Sequence, residues 1–204
     1  MPSNPVYTPD LSACVGILLA AGAGSRYRQA GGATHKLQAP LPSGQTVAVQ
    51  SALRLREATG QVLAMVAADD ALLSAQLAAS GCTVAAAPPV EAGMSATLAA
   101  AAAWLLAHAP QASHAVVALA DMPWIAPQTL LSVARADAAH LIVAPVHAGR
   151  RGHPVRFART LWPELAALSG DTGARGVLAR HRAHEIEVDD PGVLRDVDLP
   201  TDLG

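Results

Sequence analysis

The sequence predicts a three-layer α/β/α fold built on a mostly parallel sheet. Short β-type runs alternate with longer helical ones along the chain, the order that βαβ units impose. Several of the β-type runs, VGILLA and AVVALA among them, are continuously apolar, as strands covered on both faces must be. With 204 residues, 51% of them hydrophobic, the chain can bury one substantial core. It reads as a single domain, 1–204, with residues 1–12 as a flexible N-terminus.

Cys14–Ala20 opens the sheet and runs into a glycine-rich loop, and Val47–Thr59 is the first long helix. The strands Gln61–Ala67 and Cys82–Ala87 flank the helix Ala71–Ser80. The alanine-rich helix Ser95–His108 leads to the strand Ala115–Ala120, and the helix Pro127–Ala136 to the strand Leu141–Ala144. The remaining elements are the strand Pro154–Phe157, the helices Thr160–Leu168 and Thr172–Arg182, and the strand Glu185–Val188. They break the strict alternation, so a mixed sheet is expected at this end. Ligands of such sheets collect beyond the carboxyl ends of the strands, here the loops after Ala20, Ala87, Ala120 and Ala144.

Composition excludes several functions. A net charge of −2 lacks the basic excess of a nucleic-acid binder. Cys14 and Cys82 are too few for a disulfide framework and read as buried small hydrophobes in a reducing compartment. MPSNPVYTPD has none of the regions of a signal peptide. The longest apolar stretch, Met94–Ala109, is mostly alanine and reads as too short and too weakly hydrophobic for a bilayer span. A cytoplasmic protein with neither membrane nor nucleic-acid partner is expected.

The loop in VGILLAAGAGSRYRQAGGATHK is not a dinucleotide fingerprint, because Tyr27 stands where the third glycine belongs. Nor does an acid follow roughly 20 residues on, since no Asp or Glu occurs between Leu11 and Arg56. It is not a Walker loop either, because Lys36 lies between His35 and Leu37. Gly22 and Gly24 let the backbone approach an anion closely. Arg26, Arg28, Lys36, Arg54 and Arg56 supply only positive charge, a combination that suits a triphosphate. A glycine turn with exposed basic side chains is the plainer alternative.

In ALADMPWI, Asp121 ends an apolar strand and Pro123 stops its continuation. Mg²⁺ takes one or two carboxylates together with phosphate oxygens, which makes Asp121 a natural ligand; a turn or capping aspartate is the alternative. In RDVDLPTDL, Asp196 and Asp198 fall on one side of an extended segment. Asp202 reads as a helix cap, and a solvated edge strand is the alternative for the whole segment. EAGMSATLAAA places Gly93 and Ser95 at a helix start, where free N–H groups bind anions or Ser95 simply caps. GRRGHPVRF gathers Arg150, Arg151 and His153 into a second basic patch, and GDTGAR sets Asp171 as a cap with Arg175 a turn later. His181 and His184 read as a solvated helix end, with no third ligand for a metal.

LAAGAGSR followed by Lys36 resembles the LAAG-x-G-x-R signature of nucleoside-triphosphate transferases, although Tyr27-Arg28 replaces their hydrophobic-glycine pair. ADMP resembles the same family's (G/A)-D-M-P segment, and DVDLPTDL its D-I-D-T-P-E-D-L segment. The glycine–serine helix start, GHPV and GDTGAR resemble the branch that handles the molybdenum cofactor, the molybdenum cofactor cytidylyltransferases. The resemblance runs in order from Val15 to Leu203 and implies a Rossmann-like nucleotidyltransferase fold. It implies transfer of CMP from CTP to a molybdopterin phosphate with release of pyrophosphate, using Mg²⁺ on Asp121 and Asp198. Arg26, Lys36 and Asp121 are then catalytic. Leu19, Ala20, Ala21, Gly22, Gly24, Ser25, Arg26, Lys36, Gly93 and Ser95 bind the nucleotide, with Ala21 favouring CTP over GTP. Arg151, His153, Asp171 and Arg175 bind the acceptor, and the implied protein partner is a molybdoenzyme or its maturation chaperone. The alternatives are a transferase acting on a sugar phosphate or phosphoglycerate, and a non-catalytic molybdenum-cofactor carrier.

Overall fold

The computed structural model describes residues 13–169 and 173–203; the expectations for residues 1–12 and for Asp171 lie outside them. Among the described residues, eight strands form one sheet. They are β1 (Cys14–Ala20), β2 (Gln61–Ala67), β3 (Thr83–Ala87), β4 (His114–Leu119), β5 (Ile142–His147), β6 (Arg150–Arg151), β7 (Val155–Ala158) and β8 (His184–Glu187). The order is β3-β2-β1-β4-β7-β5-β6, with β8 also pairing with β5. Strands β1 to β4 are mutually parallel, β7 runs antiparallel between β4 and β5, and β8 is parallel to β5. The sheet is therefore mostly parallel and mixed at its late end, as its irregular sequence order predicts.

The helices are α1 (Ser25–Gln29), α2 (Val47–Thr59), α3 (Ala71–Ala79), α4 (Gly93–His108), α5 (Pro127–Ala134), α6 (Trp162–Ala166) and α7 (Arg175–Arg180). Successive strand residues point to opposite faces, and both faces are covered. Leu18, Ala64, Val66, Val116 and Ala118 pack with α2, α3 and α5 on one side. Ile17, Leu63, Met65, Ala115 and Val117 pack with α4, α6 and α7 on the other. This two-sided burial is why the central strands carry no polar alternation. Gly16 in β1 faces α2, where a Cβ would lie 2.8 Å from Leu55 Cγ and 2.9 Å from Thr59 Oγ1; the helix seats against bare backbone.

Several expectations are corrected. Of the helix expected over 172–182, α7 spans Arg175–Arg180 with Ala174 in the cap position, and Thr172 lies outside the described residues. The segment Val90–His108 is helical over 19 residues at mean hydropathy 1.4, long and apolar enough by those measures to cross a membrane. In this fold Leu98, Ala101, Ala102 and Leu105 pack it against the sheet. As expected, Cys14 and Cys82 are buried free thiols, and burial pushes the Cys14 thiol up to about 11. His181 bonds to Glu164 at 2.8 Å, and His184 stacks on His140 with ring centroids 3.8 Å apart. Neither is a merely solvated side chain.

Candidate active site

The carboxyl ends of β1 and β4 place the glycine loop beside Asp121. At the loop, Gly24 takes φ +60° as the N-cap of α1, and a Cβ there would sit 3.1 Å from His35 Nε2. No atom lies within 4 Å of a Cβ placed on Gly22, which leaves its backbone open to a ligand. His35, which the sequence reading missed, ties the loop together through Nε2 to Gly22 O at 3.0 Å. The departure at Tyr27-Arg28 also has a packing role. Tyr27 is buried, and Gly32 closes over its ring so tightly that a Cβ would fall 2.1 Å from Tyr27 Cε1.

Lys36 points from this loop into a group of acids. Its Nζ donates to Asp121 Oδ2 at 2.6 Å and to Asp198 Oδ1 at 3.3 Å, while Arg26 Nη1 donates to Asp198 Oδ2 at 2.8 Å. Burial alone would pull the Lys36 ammonium down, but Asp121 and then Asp198 hold it above its ordinary value. Burial would raise Asp198, yet the bonds from Arg26 and Lys36 hold its carboxyl below the usual range. Potential ligand atoms of Asp121, Asp196 and Asp198 lie within 4.8 Å of one another. Three carboxylates form a hard oxygen donor set, which fits Mg²⁺ or Mn²⁺ better than a soft metal. Segment 195–199 is not a strand; Val197 N donates to Asp121 O at 2.8 Å and brings the two acids alongside. Asp202 caps backwards, its Oδ2 accepting from Asp198 N at 3.0 Å and Leu199 N at 2.7 Å.

Two cavities meet here. One, of about 250 Å³, is bounded by Leu19, Ala21, Gly22, Lys36, Gly93 and Asp121. The other, of about 390 Å³, collects Arg151, His153 and Arg175, residues from two separate motifs. Leu19, Leu119 and Met94 line both; Met94 carried no signal in the sequence. Ala20 borders a third hollow, which shares Ala21, Gly22 and Val90 with the first cavity and adds Arg28 and His35. His153 Nδ1 is buried without a partner, and burial lowers the imidazole pKa against the opposing pull of Asp121 and Asp196.

Other expected residues do different work. Ser25 is the first residue of α1. Ser95 is fully buried inside the first turn of α4 and does not cap it; its Oγ accepts from Gly173 N at 2.7 Å, linking the two motif loops. Arg54 donates to Pro123 O at 2.6 Å and Ile125 O at 2.9 Å, so it braces the loop after Asp121 instead of facing a phosphate. Arg56 donates to Ser80 O at 3.3 Å. The loop after β5 turns directly into the β6 hairpin.

An anion-receptive glycine loop and a buried lysine facing a strand-end acid on an α/β/α sheet are the equipment of a nucleotidyltransferase. Residues 16–186 match the MobA-like NTP transferase domain, and the chain belongs to that family. Rv0371c from Mycobacterium tuberculosis H37Rv is similar, at TM-score 0.78 and 32% identity over 93% of this chain and 95% of that one. Its structure in complex with manganese aligns at TM-score 0.74 and 28% identity, over 93% and 95% of the two chains. Mth528, a nucleotidyl transferase from Methanothermobacter thermautotrophicus, shares the fold at TM-score 0.77 and 20% identity, over 93% and 94%. A search of curated proteins found no match.

Proposed function

We propose that this nucleotidyltransferase, working as a single cytoplasmic domain, joins CMP from CTP to the phosphate of a molybdopterin-type acceptor and releases pyrophosphate. The observation that carries the reading is that two cavities adjoin along Leu19, Met94 and Leu119, the first of them lined by Asp121 and Lys36. One is bordered by the glycine loop, the other by Arg151, His153 and Arg175. LAAG at the loop, with Ala21 on the cavity wall, favours cytidine. Asp121, Asp198 and the neighbouring Asp196 would hold a divalent cation, Mg²⁺ in this reading; manganese accompanies Rv0371c in one structure. When bound, such a cation polarises phosphoryl oxygens and offsets their charge.

The chain's own groups position the reactants. Gly22 and Gly24 admit the triphosphate to the loop backbone, with Leu19, Ala20, Ser25 and Gly93 around it. An acceptor phosphate oxygen bonds to the α-phosphorus as the bond from that phosphorus to the bridging oxygen breaks, and the pair of electrons leaves with pyrophosphate. Arg26 and Lys36 offset the charge growing on that leaving group, and proximity and electrostatics suffice without a covalent intermediate. Arg151 and Arg175 face the anionic acceptor, with Asp171 in the same motif. His153, kept neutral by burial, accepts or donates one hydrogen bond to it. The product passes to a molybdoenzyme or its maturation chaperone.

The test supplies each of the four nucleoside triphosphates with Mg²⁺ and molybdopterin and measures pyrophosphate. Release with CTP alone is expected. Release only when a sugar phosphate replaces molybdopterin overturns the acceptor assignment.

A further inference from the structure

We infer that Lys36 is the cation that holds the acidic cluster until a divalent metal displaces it, and that this displacement delivers the ammonium to the nucleotide phosphates. The inference rests on the proposed metal-dependent transfer and adds an exchange between two partners of one side chain.

Lys36 is not an ordinary surface lysine. Its side chain is 11% exposed, and its ammonium lies 2.6 Å from Asp121 and 3.3 Å from Asp198. Both acids belong to the cluster whose ligand atoms lie within 4.8 Å of one another. An octahedral cation with oxygens at about 2.1 Å sets opposite ligands about 4.2 Å apart. The cluster is already near that size, and the ammonium is bonded to two of the three acids that would hold the cation. Two cations at van der Waals separation repel strongly in a partly buried site, so the metal and Lys36 cannot both keep these carboxylates.

The local chain shows where the displaced ammonium goes. Lys36 begins the 3₁₀ turn 36–38, whose cap residue His35 is bonded to Gly22 O at 3.0 Å. The backbone is thus pinned to the glycine loop and the exchange falls to the side chain. That side chain borders the cavity shared with Gly22 and Asp121, where a triphosphate is the nearest new anion. Arg26, whose side chain is 77% exposed, repeats the arrangement more weakly on the other oxygen of Asp198.

The exchange gives Lys36 opposite effects on two ligands. Removing it frees the carboxylates from a competitor and tightens a metal bound without nucleotide, yet it weakens nucleotide bound with metal. A lysine serving phosphate alone leaves nucleotide-free metal affinity unchanged. A lysine that only glues the cluster weakens the metal when removed.

The test is calorimetric titration of Mn²⁺ into the nucleotide-free full chain, wild type against Lys36→Met, followed by CTP titration with Mn²⁺ present. Loss of a charge-assisted competing bond predicts Mn²⁺ binding about tenfold to a hundredfold tighter in Lys36→Met. CTP binding is weaker in that variant. Arg26→Gln, at an exposed side chain that does not endanger the fold, is expected to tighten Mn²⁺ about two- to fivefold. If circular dichroism shows Lys36→Met unfolded, Lys36→Gln replaces it in the same titrations. Mn²⁺ affinity unchanged or weaker in the folded variants overturns the inference. The proposed function fails separately, if wild type releases no pyrophosphate from any nucleoside triphosphate.

Discussion

Asp190→Ala probes how the chain's last segment reaches the site. Asp190 is 7% exposed, and its Oδ2 accepts from Ala126 N at 2.8 Å and Thr129 Oγ1 at 2.7 Å, while Oδ1 accepts from Gly192 N at 2.9 Å. Each bond to a charged acceptor is worth about 1.5–3 kcal/mol. The three share one carboxylate whose burial has its own cost, so the net loss is about 3 kcal/mol. The damage extends to the acids. Val193 O accepts from His153 N at 2.9 Å, Gly152 leaves only 2.2 Å between a Cβ and that oxygen, and Val197 N bonds Asp121 O at 2.8 Å. Loosening the segment at Asp190 therefore carries Asp196 and Asp198 away from Asp121. Urea denaturation followed by circular dichroism reads the stability, and Mn²⁺ titration reads the cluster. Exposed Asp189, replaced by alanine, is the control and should stay within about 0.5 kcal/mol of wild type. The reasoning is refuted if Asp190→Ala keeps wild-type stability, or if it loses stability while Mn²⁺ affinity is unchanged.

Gly16→Ala puts a methyl 2.8 Å from Leu55 Cγ and should cost about 1–3 kcal/mol through overpacking, read as a lower Tm; an unchanged Tm contradicts the close seating of α2. Stability should also fall as pH drops below about 6.5, because His114 titrates lower in the folded chain than in the unfolded one, through burial and then the Arg156 charge. The unfolded state binds the proton first, so the loss begins near pH 6.5 and ends below the folded pKa, with a slope of at most about 1.4 kcal/mol per pH unit for this group. His153 acts in the same direction. His114→Gln should flatten the profile between pH 7 and pH 5; an unaltered slope would show that His114 does not carry it.

Strands β1 and β2 were legible to the residue because sheet burial on both faces leaves an unbroken apolar run. Asp121 was legible because an acid ending such a run must face the ligand side. Strand β6 was not, since two arginines carry no strand pattern and are paired only by the turn after β5. Arg54 and Arg56 looked like phosphate ligands from charge alone, but both reach backbone carbonyls of other segments. Asp190 gave no signal, and Gly152 read only as part of a basic motif, because their packing roles depend on contacts with residues distant along the chain. The late helices came out shorter than their apolar content implied: Arg159–Leu161 is a 3₁₀ turn, and α6 ends at Ala166.

The central claim is that Asp121 serves a metal-dependent nucleotidyl transfer. The most direct measurement compares pyrophosphate release from CTP, with Mg²⁺ and molybdopterin, by wild type and Asp121→Asn at equal folded concentration. Asn keeps the shape and removes the charge that Lys36 and a cation both require. Release by wild type and a fall of about a hundredfold or more in the variant is the predicted result. Comparable release by both proteins would contradict the account.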